Sequence, residues 1–499
     1  MNLTQYEKQP LQDHCGILAA LSSEDTSFFT LGLIGLKKLQ TRGYDGTGFA
    51  TIDHLGNSVI YKREGLVDQV FKLPIVRKFA SHEAKFWLFQ VRYGTTGAFS
   101  KRNVQPFLRS HRKTKESFVV VHNGQFSPEN GDYHKDDSDT LEFARQLARS
   151  EEHTWDERIA KLLRKKKGAW SLAIGTKDAL YIARDPMGIR PLSYGALPDD
   201  NGKKTWVAAS ETSALTAIGI PKFFEVMPGE LIRITKDGPE QVDQITPRPG
   251  LCIFETVYIM KGEGKALIPR EKDTDINSSP TVDQIRARIG TILAREAPVA
   301  RKDVDFVIGI PGTGITGGEA YARALNLPYS QAITDRVPQD DQRTFMYADV
   351  DKIYQRVLRH FNFDEKLFIG KRVVLVDDSI VRGNIMKGLV DLLRKKYSVK
   401  DIHIRILCPP IDKECYLGVN IRNRKNLLAA SVEKAVGKKA KKDALIAAIG
   451  EELGVNSLAY ISDSGLREAI TGEPGDKRFC MGCMVGHVPP VTKSGEIQR

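Results

Sequence analysis

The chain has 499 residues, of which 41% are hydrophobic and 27% are charged, and its formal net charge is +12. This length exceeds that of an ordinary single domain, so we expect two domains, each with its own core. The sequence has no run of 18 uncharged apolar residues, and its first fourteen residues lack the apolar stretch of a secretory signal. The sequence therefore predicts a cytoplasmic protein that does not span a membrane.

The basic excess is compatible with a solvated surface, an anionic substrate or a nucleic-acid partner. The densest basic run, at residues 438–442, precedes an amphipathic stretch and contains no aromatic residue that could stack on a base. We interpret this run as one face of a helix and predict no nucleic-acid partner. Phosphate-rich small molecules would account for part of the excess charge.

The first half of the chain is typical of short strands separated by a few helices, a mixture that predicts layered sheets covered by helices. Apolar spacing near 3.6 residues distinguishes the helices, and Ser138 or Asp139 is a plausible N-cap for the second of them. Strands are predicted at residues 15–21, 86–91, 117–122, 170–174, 179–184 and 206–209, and helices at residues 31–39 and 139–148.

Two prolines and a glycine interrupt the pattern at residues 246–250, where we place the domain boundary. The expected domains are therefore residues 15–245 and 251–499. In the second domain, fully apolar runs such as VVLV at residues 373–376 indicate strands buried on both faces, as in a parallel sheet. Strands are predicted there at residues 305–310, 372–376 and 402–407, and helices at residues 318–325 and 385–397.

The most informative segment of the second half is RVVLVDDSIVRG, at residues 372–383. A buried strand ends there in Asp377 and Asp378 and continues through a short loop into a helix, and ligands bind at such strand ends in open parallel sheets. Backbone N–H groups of the loop and the positive end of the helix can hold a phosphate, and Gly383 permits close approach. The two carboxylates suit sugar hydroxyls or a magnesium ion instead.

This segment resembles the phosphoribosyl pyrophosphate signature of type I phosphoribosyltransferases, and its core DDSIVRG is similar to that of the amidophosphoribosyltransferases. The resemblance implies that the two aspartates bind the ribose and that the loop wraps the 5-phosphate. It also implies that the glycine-rich loop at residues 310–316 binds pyrophosphate and that Thr313 joins the two aspartates around Mg²⁺. The implied phosphoribosyl pyrophosphate-binding residues are Asp377, Asp378, Ser379, Ile380, Val381, Arg382 and Gly383.

Near the start of the chain, Cys15 opens the sequence CGILAA. As encoded, it has no evident base beside it, and a lone Cys-Gly pair is ordinarily typical of a small buried strand cysteine. Removal of residues 1–14 as a propeptide would free the α-amino group of Cys15. An amine with a pKa of about 8 is a workable general base at neutral pH, so one residue would then provide both nucleophile and base.

Further motifs follow Cys15 in an order that resembles the class II, N-terminal nucleophile glutamine amidotransferases. Two later motifs, at residues 184–192 and 209–215, resemble the late glutaminase motifs of the amidophosphoribosyltransferases. The resemblance implies an αββα sandwich for the first domain. The ordered motifs are RGYDGTG at residues 42–48, VRYGTTG at 91–97, QPF at 105–107, HNGQ at 122–125 and SDT at 138–140.

Acyl transfer from glutamine needs an oxyanion hole, and two donors are available within the HNGQ motif. The side-chain amide of Asn123 and the backbone N–H of Gly124 would stabilise the oxyanion formed when Cys15 attacks. Arg92 can clamp the substrate carboxylate with a bidentate pair, and Asp139 can hold its ammonium group. These five residues form the predicted glutaminase site.

The remaining cysteines suggest a metal site. Four thiolates, two of them from the Cys-x-x-Cys at residues 480–483, would satisfy zinc or an iron–sulfur cluster, and reduced structural cysteines are the plain alternative. Some amidophosphoribosyltransferases carry both a 4Fe-4S cluster and a cleaved propeptide, and the resemblance implies the same here, with Cys408 as the spare thiol. The implied cluster ligands are Cys252, Cys415, Cys480 and Cys483.

Several positions depart from the family pattern. Residues 335–345 (DRVPQDDQRTF) stand where the family has a flexible lid, and they lose an aromatic residue and a glycine while gaining acids. Asn384 and Ile385 follow the phosphate loop where threonines are usual. Tyr44 and Gln125 also replace residues common in the family. These changes leave room for a divergent paralogue with altered acceptor chemistry.

The sequence thus predicts a member of this family, which hydrolyses glutamine and transfers the ammonia to phosphoribosyl pyrophosphate, giving 5-phosphoribosylamine in the first step of purine synthesis. The resemblance also implies purine nucleotides as feedback inhibitors and a homodimer or homotetramer. One alternative delivers ammonia to another sugar phosphate, which residues 377–383 argue against. A second is a catalytically silent protein that binds phosphoribosyl pyrophosphate or nucleotides and regulates a partner, an alternative that the altered lid favours.

Overall fold

The computed structural model describes six stretches of the chain: residues 15–94, 101–127, 137–198, 202–268, 275–336 and 357–484, except for residues 359, 416, 420, 422 and 438–440. The predicted propeptide therefore lies outside the described residues. So does the predicted lid beyond Arg336, and so does most of the basic run that was interpreted as a helix face.

Two antiparallel sheets make up the first half of the chain. Their strands are β1 (Gly16–Thr26), β2 (Gly46–Ile52), β3 (Ser58–Glu64), β4 (Ala84–Arg92), β5 (Phe107–Ser110), β6 (Ser117–Phe126), β7 (Gly168–Gly175), β8 (Leu180–Arg184), β9 (Ser193–Pro198), β10 (Lys204–Ala209), β11 (Phe223–Glu225), β12 (Glu230–Thr235) and β13 (Gly238–Gln244). In the described residues, the first sheet has the order β11-β9-β10-β1-β4-β2-β3 and the second has the order β13-β12-β8-β7-β6-β5.

Alternation along these strands gives each sheet two apolar faces. Ile17 and Leu88 of the first sheet pack with Val121 and Ala173 of the second in a core between the sheets. Helices cover the outer faces, so the layers run helix, sheet, sheet, helix, and the predicted αββα sandwich is confirmed. The helices are α1 (Phe29–Lys38), α2 (Val67–Val70), α3 (Leu73–Phe79), α4 (Asp139–Ala148), α5 (Trp155–Lys165) and α6 (Thr212–Ala217).

A parallel sheet with helices on it forms the second half, as predicted. The strands here are β14 (Leu251–Cys252), β15 (Phe306–Gly309), β16 (Ile333–Asp335), β17 (Phe361–Phe363), β18 (Arg372–Asp377), β19 (Asp401–Ile406), β20 (Ser457–Tyr460) and β21 (Phe479–Cys480). The helices are α7 (Val282–Glu296), α8 (Gly314–Ala324), α9 (Asn384–Lys395), α10 (Leu428–Val436), α11 (Lys442–Leu453) and α12 (Asp463–Thr471). Among the described strands, β15, β18, β19 and β20 pair in that order, all parallel.

The predicted linker at residues 246–250 runs between β13 and β14 and is tied to the first half, because Arg248 and Gly250 donate backbone hydrogen bonds to the carbonyls of Pro186 and Met187. A π-helical turn, Glu255–Ile259, follows β14. None of the helices in the described ranges is long and apolar enough to cross a membrane.

A buried network of charged side chains joins the two halves at this π-helical turn. Arg42 donates to Glu211 at 2.5 Å and to both carboxylate oxygens of Glu255 at 2.9 and 3.0 Å. Arg190 donates to Glu255 at 3.1 Å and also to the carbonyl of Leu417. The four charged side chains are at most 1% exposed. Glu255 belongs to the second half, whereas its two arginine partners belong to the first, so the network fixes one half against the other.

Replacing Glu255 with Gln should strongly destabilise the chain, because two buried guanidinium groups would lose the charge that compensates them. Removal of one partner of a buried ion pair costs about 3 to 5 kcal/mol in the free energy of unfolding. The matched control is Glu263→Gln, since Glu263 pairs with Lys38 at 3.1 Å on the surface, where such pairs contribute roughly 0 to 1 kcal/mol. Urea denaturation measures both variants. Equal losses in the two would contradict a structural role for the network.

Candidate active sites

Cys15 lies immediately before β1 and is only 7% exposed. Its Sγ donates to the carbonyl of Tyr93 at 3.7 Å. Burial raises the pKa of the Cys15 thiol, and the hydrogen bond to Tyr93 and the charge of Arg92 oppose that rise only in part. The thiol is therefore protonated at neutral pH, and it needs a base before it can act as a nucleophile.

Charged residues surround the thiol. Arg92 lowers the pKa of Cys15, whereas Asp139 and Asp45 raise it, which places all three charges in its electrostatic neighbourhood. Asp139 opens α4, where its carboxylate accepts the backbone N–H groups of Phe126 and Thr140, each at 2.8 Å. These two bonds fix the orientation of the carboxylate, which could then pair with a positively charged group of a ligand.

Helix α4 begins where the sequence predicted. Ser138 is its N-cap, with a side chain that accepts from the backbone N–H of Leu141. This cap fixes the first turn of the helix, and it thereby fixes Asp139 against the end of β6.

Asn123 and Gly124 lie near the end of β6, the strand that faces β1 across the core between the sheets. The Asn123 amide Nδ2 donates to Ser210 Oγ at 3.4 Å, and the same oxygen accepts the backbone N–H of Ile17 at 3.1 Å. Gly124 has a φ of +135°, and a Cβ there would lie 2.1 Å from the carbonyl oxygen of Ala169. Only glycine fits at that position.

Two supporting residues were not singled out from the sequence, although each lies within a motif that was. Asp45, of the RGYDGTG motif, accepts the backbone N–H of Gly94 at 2.8 Å and so shapes the chain next to Arg92. Ser210, of the motif at residues 209–215, bridges Asn123 to the strand that carries Cys15. A role for Ser210 becomes visible only once β6 and β1 are brought together.

The second candidate site lies at the carboxyl edge of the parallel sheet. Asp377 ends β18, and Asp378 follows it. Thr313, at the N-terminus of α8, donates its hydroxyl to Asp378 at 2.7 Å, and Ser379 donates to the other oxygen of the same carboxylate at 2.5 Å. The sheet order explains this meeting, because β15 and β18 are adjacent and parallel, so the loops that follow them share one edge.

Burial raises the pKa of both aspartates, and the neighbouring negative charge adds to the rise for Asp377. The hydrogen bonds from Ser379 and Thr313 oppose the rise for Asp378. Two adjacent buried carboxyl groups repel one another once both are ionised, so a cation or hydroxyl donors from a ligand would stabilise the doubly charged form.

The loop after the aspartates carries further residues that were predicted to bind phosphoribosyl pyrophosphate: Ile380, Val381, Arg382 and Gly383. It is pinned to α10, because the backbone N–H of Leu428 donates to the carbonyl of Val381 at 2.9 Å. Gly383 is the N-cap of α9 with a φ of +75°, a left-handed conformation that favours glycine. The positive end of α9 therefore lies at the carboxyl edge of the sheet, where it can face an anion.

Arg286 of α7 is a buried cation that the sequence did not indicate as part of this site. It donates to the carbonyls of Thr256, Val257 and Met260 around the π-helical turn, at 2.8 to 3.2 Å. Its charge also lowers the pKa of Asp378. Arg286 therefore lies between the aspartate pair and the turn that carries Glu255.

Four of the cysteines are neighbours in the fold. Cys252 and Cys480 are directly paired in register on the parallel strands β14 and β21. Burial raises the pKa of Cys252 to about 11, and it also raises the pKa of Cys483, with further contributions from Cys415, Cys252, Cys480 and Cys408. In the described residues, no three His, Cys, Asp or Glu side chains already stand in the geometry of a metal site. A metal centre thus stays a prediction.

Profiles of two sequence families match the chain: the glutamine amidotransferase domain at residues 96–217 and the phosphoribosyl transferase domain at residues 281–433. The amidophosphoribosyltransferase of Synechococcus elongatus is 32% identical to the chain over 501 residues, an alignment that covers 98% of this chain and 93% of that relative. The chain belongs to the amidophosphoribosyltransferase family.

Solved structures of this family are similar over nearly the whole chain. A glutamine phosphoribosylpyrophosphate amidotransferase from B. subtilis, complexed with ADP and GMP, is 27% identical with a TM-score of 0.77, covering 95% of this chain and 97% of that one. An allosteric regulatory enzyme of purine biosynthesis gives 27% identity and a TM-score of 0.78, covering 95% of this chain and 96% of that one. The predicted amidophosphoribosyltransferase family and its class of enzyme are confirmed, and a catalytically silent protein is not favoured.

The buried His122, which precedes Asn123, predicts a loss of stability in acid. It is 1% exposed, its Nδ1 pairs with Thr140 Oγ1 at 2.9 Å, and burial lowers its pKa to about 4. The unfolded chain, with a histidine pKa of about 6.5, binds more protons between these two values. The contribution of His122 to the free energy of unfolding is therefore fully present above pH 6.5 and is lost as the pH falls towards 4. This histidine alone accounts for about 2 kcal/mol between pH 7 and pH 5.

The control is His122→Asn, which keeps a polar atom near Nδ1 but does not titrate. Urea denaturation at pH 7 and pH 5 should show that the wild type loses about 2 kcal/mol more than this variant. Parallel losses in the two proteins would mean that His122 does not titrate as its burial requires.

Proposed function

We propose that the chain is an active amidophosphoribosyltransferase, which hydrolyses glutamine in residues 15–245 and uses the ammonia in residues 251–499 to convert phosphoribosyl pyrophosphate to 5-phosphoribosylamine, the first step of purine synthesis. The observation that carries the proposal is the presence of two clusters in one chain: Cys15 with Arg92 and Asp139, and Asp377 with Asp378 and Thr313.

In the first half, removal of residues 1–14 would leave Cys15 with a free α-amino group, which supplies the base that its buried thiol lacks. The thiolate attacks the glutamine side-chain carbonyl, while Asn123 Nδ2 and the Gly124 N–H donate to the oxyanion. Arg92 holds the substrate carboxylate, and Asp139 holds its ammonium group. Ammonia leaves, and water hydrolyses the thioester.

In the second half, the loop from Ser379 to Gly383 and the N-terminus of α9 hold the 5-phosphate, with backbone N–H groups as donors. Asp377 and Asp378 accept the ribose hydroxyls, which orients the anomeric carbon towards the incoming ammonia. Ammonia attacks that carbon, and pyrophosphate departs. The loop at residues 310–316 would receive the pyrophosphate, since its Gly312 has a φ of +93° and a Cβ added there would meet no atom within 4 Å.

A magnesium ion fits the acidic side of this site. Thr313 and Asp378 are already in contact. Burial raises the pKa of both aspartates, and the charge of Arg286 opposes this only in part at Asp378, so a divalent cation would stabilise the ionised pair further. Asp377, Asp378 and Thr313 would hold it, directly or through water. Bound there, the ion would neutralise the charge of the departing pyrophosphate.

The four-cysteine group fits a 4Fe-4S cluster in its chemistry. Cys252, Cys415, Cys480 and Cys483 are mutual neighbours with unoxidised thiols, and the backbone N–H of Leu417 donates to the sulfur of Cys415 at 3.4 Å. Thiolates suit iron–sulfur clusters, and N–H donors to sulfur stabilise their charge. The group joins β14 to β21, so its role would be structural.

Partners and location follow from the same proposal. The relative complexed with ADP and GMP supports purine nucleotides as feedback inhibitors of this chain. A homodimer or homotetramer in the cytoplasm is proposed from the family resemblance.

The proposal is tested by separating the two half-reactions. Cys15→Ala should abolish glutamine-dependent formation of phosphoribosylamine, because the nucleophile is lost, yet it should spare the reaction with ammonium chloride. Asp378→Asn should impair the reaction with either nitrogen source. Pyrophosphate release with each donor measures both variants. A wild type that releases no pyrophosphate with ammonium, or a Cys15→Ala variant that still uses glutamine, would refute the proposal.

The cluster has its own test. Protein isolated without oxygen from an iron-replete host should contain about four irons and four sulfides per chain. Cys480→Ser should lose this iron, because a ligand is removed, whereas Cys408→Ala should keep it, because Cys408 is the spare thiol. Iron and sulfide analysis with visible absorption reports the result. Wild-type protein without iron, or equal iron in both variants, would refute the cluster assignment.

A further inference from the structure

Gln90 is a polar residue buried in the core of the first sheet. It lies on β4, is 0% exposed, and is directly opposite Ile17 of β1 and Gly48 of β2. Residues opposite one another on antiparallel strands point to the same face. Because Ile17 packs in the apolar core between the two sheets, together with Leu88 of β4, the Gln90 amide also points into the space between the sheets.

The oxyanion amide reaches the same space from the other sheet. Asn123 Nδ2 and the backbone N–H of Ile17 both donate to Ser210 Oγ, at 3.4 and 3.1 Å. Asn123 therefore lies near Ile17 on the side of Ser210, whereas Gln90 flanks Ile17 on the side of β4. Along the strands, this position is two residues from Cys15 on β1 and two residues from Arg92 on β4. Two buried amide side chains thus enter the space between the sheets near the predicted nucleophile, one on each side of Ile17.

Both amides have unused hydrogen-bonding atoms. Across the part of the chain that the structure describes, neither Gln90 Nε2 nor Gln90 Oε1 has a partner, and Asn123 Oδ1 has none either. A buried amide without partners is costly, whereas leucine or methionine would fill the same place without that cost. The unused atoms are complementary, because Gln90 Nε2 donates and Asn123 Oδ1 accepts.

We propose that Gln90 is a positioning residue for the glutaminase reaction. Its Nε2 holds Asn123 Oδ1 through one bridging water molecule, since the two atoms are not bonded directly, and so turns Asn123 Nδ2 towards the oxyanion. The terminal torsion of asparagine has a broad, roughly two-fold distribution, so packing alone does not choose which atom faces the substrate. The existing bond to Ser210 is long, and an oxyanion donor is effective when it is oriented before the reaction.

The inference rests on the proposed function, and Gln90→Met tests it, because methionine has a similar length but no hydrogen-bonding amide. The expected result is a fall in the kcat for glutamine hydrolysis of about tenfold, a fraction of the loss seen when an oxyanion donor is removed. The KM for glutamine should change little, since Gln90 does not contact the substrate. Pyrophosphate release with ammonium should persist, which shows that the variant is folded.

The matched control is Leu88→Met, on the same strand and the same face, which alters packing without removing an amide and should leave kcat unchanged. If Gln90→Met fails to fold, Gln90→Leu provides the same measurement. A Gln90 variant that keeps the wild-type kcat, or a Leu88→Met variant with an equal loss, would overturn the inference.

The double variant Asn123→Ala with Gln90→Met distinguishes a positioning role of Gln90 from a general loss of structure. Asn123→Ala should lower kcat by roughly 10² to 10³. Adding Gln90→Met should cause no further loss if Gln90 acts only through Asn123, whereas losses that multiply would overturn the inference. A wild type without glutaminase activity would instead refute the proposed function, and the inference with it.

Discussion

The ion-pair network around Glu255 is the constraint on which the arrangement of both sites depends. Arg42, Arg190 and Glu211 each belong to a motif that resembles the glutaminases, yet their side chains are used to hold the π-helical turn of the second half. Buried charges are stable only when they are compensated, so this set of four cannot be separated without a large loss of free energy. The network therefore fixes the position of one half of the chain relative to the other.

As a result, residues that pack against each candidate site lie on either side of the π-helical turn. Arg42 is followed by Gly43, where a Cβ would lie 2.6 Å from the backbone of Arg92, so the chain next to the network packs directly on a predicted glutamine-binding residue. On the other side of the π-helical turn, Arg286 donates to two carbonyls of the turn and to the carbonyl of Met260 just after it, and its charge lowers the pKa of Asp378. A displacement of the turn would thus be felt at both sites, because each is packed against it through a buried arginine.

The sequence could predict those elements whose burial leaves a simple pattern. Helix α4 has the predicted bounds because a capping serine precedes a regular apolar stripe. Strand β18 contains the continuous apolar run VVLV, and β19 alternates isoleucine with polar residues. Strand β3 was missed, because it is a partly exposed edge with mixed polarity. Helix α7 was also missed, although Thr281 and Gln284 form a capping box before its apolar stripe.

The candidate sites were predictable for a different reason. Residues such as Asp377 and Asn123 stand in contiguous motifs, so a resemblance can carry them over one by one. Ser210, Arg286 and Gln90 act across strands or between helices, and their meaning depends on which backbone segments become neighbours. Register decides this for Gln90, because a shift of one residue would turn its amide away from Asn123 and towards the helices.

Both sites share one physical property, which is that burial disfavours the charged form of their acidic groups. Burial keeps the Cys15 thiol protonated, so the fold supplies a nucleophile without its base. Burial likewise raises the pKa of Asp377 and Asp378, and the charge of Arg286 opposes that rise only in part, at Asp378. A free α-amino group would complete the first site, and a cation with a hydroxyl-rich ligand would complete the second. Because the effective dielectric is low in such buried places, the electrostatic interactions of each completing group are stronger there than they would be on the surface.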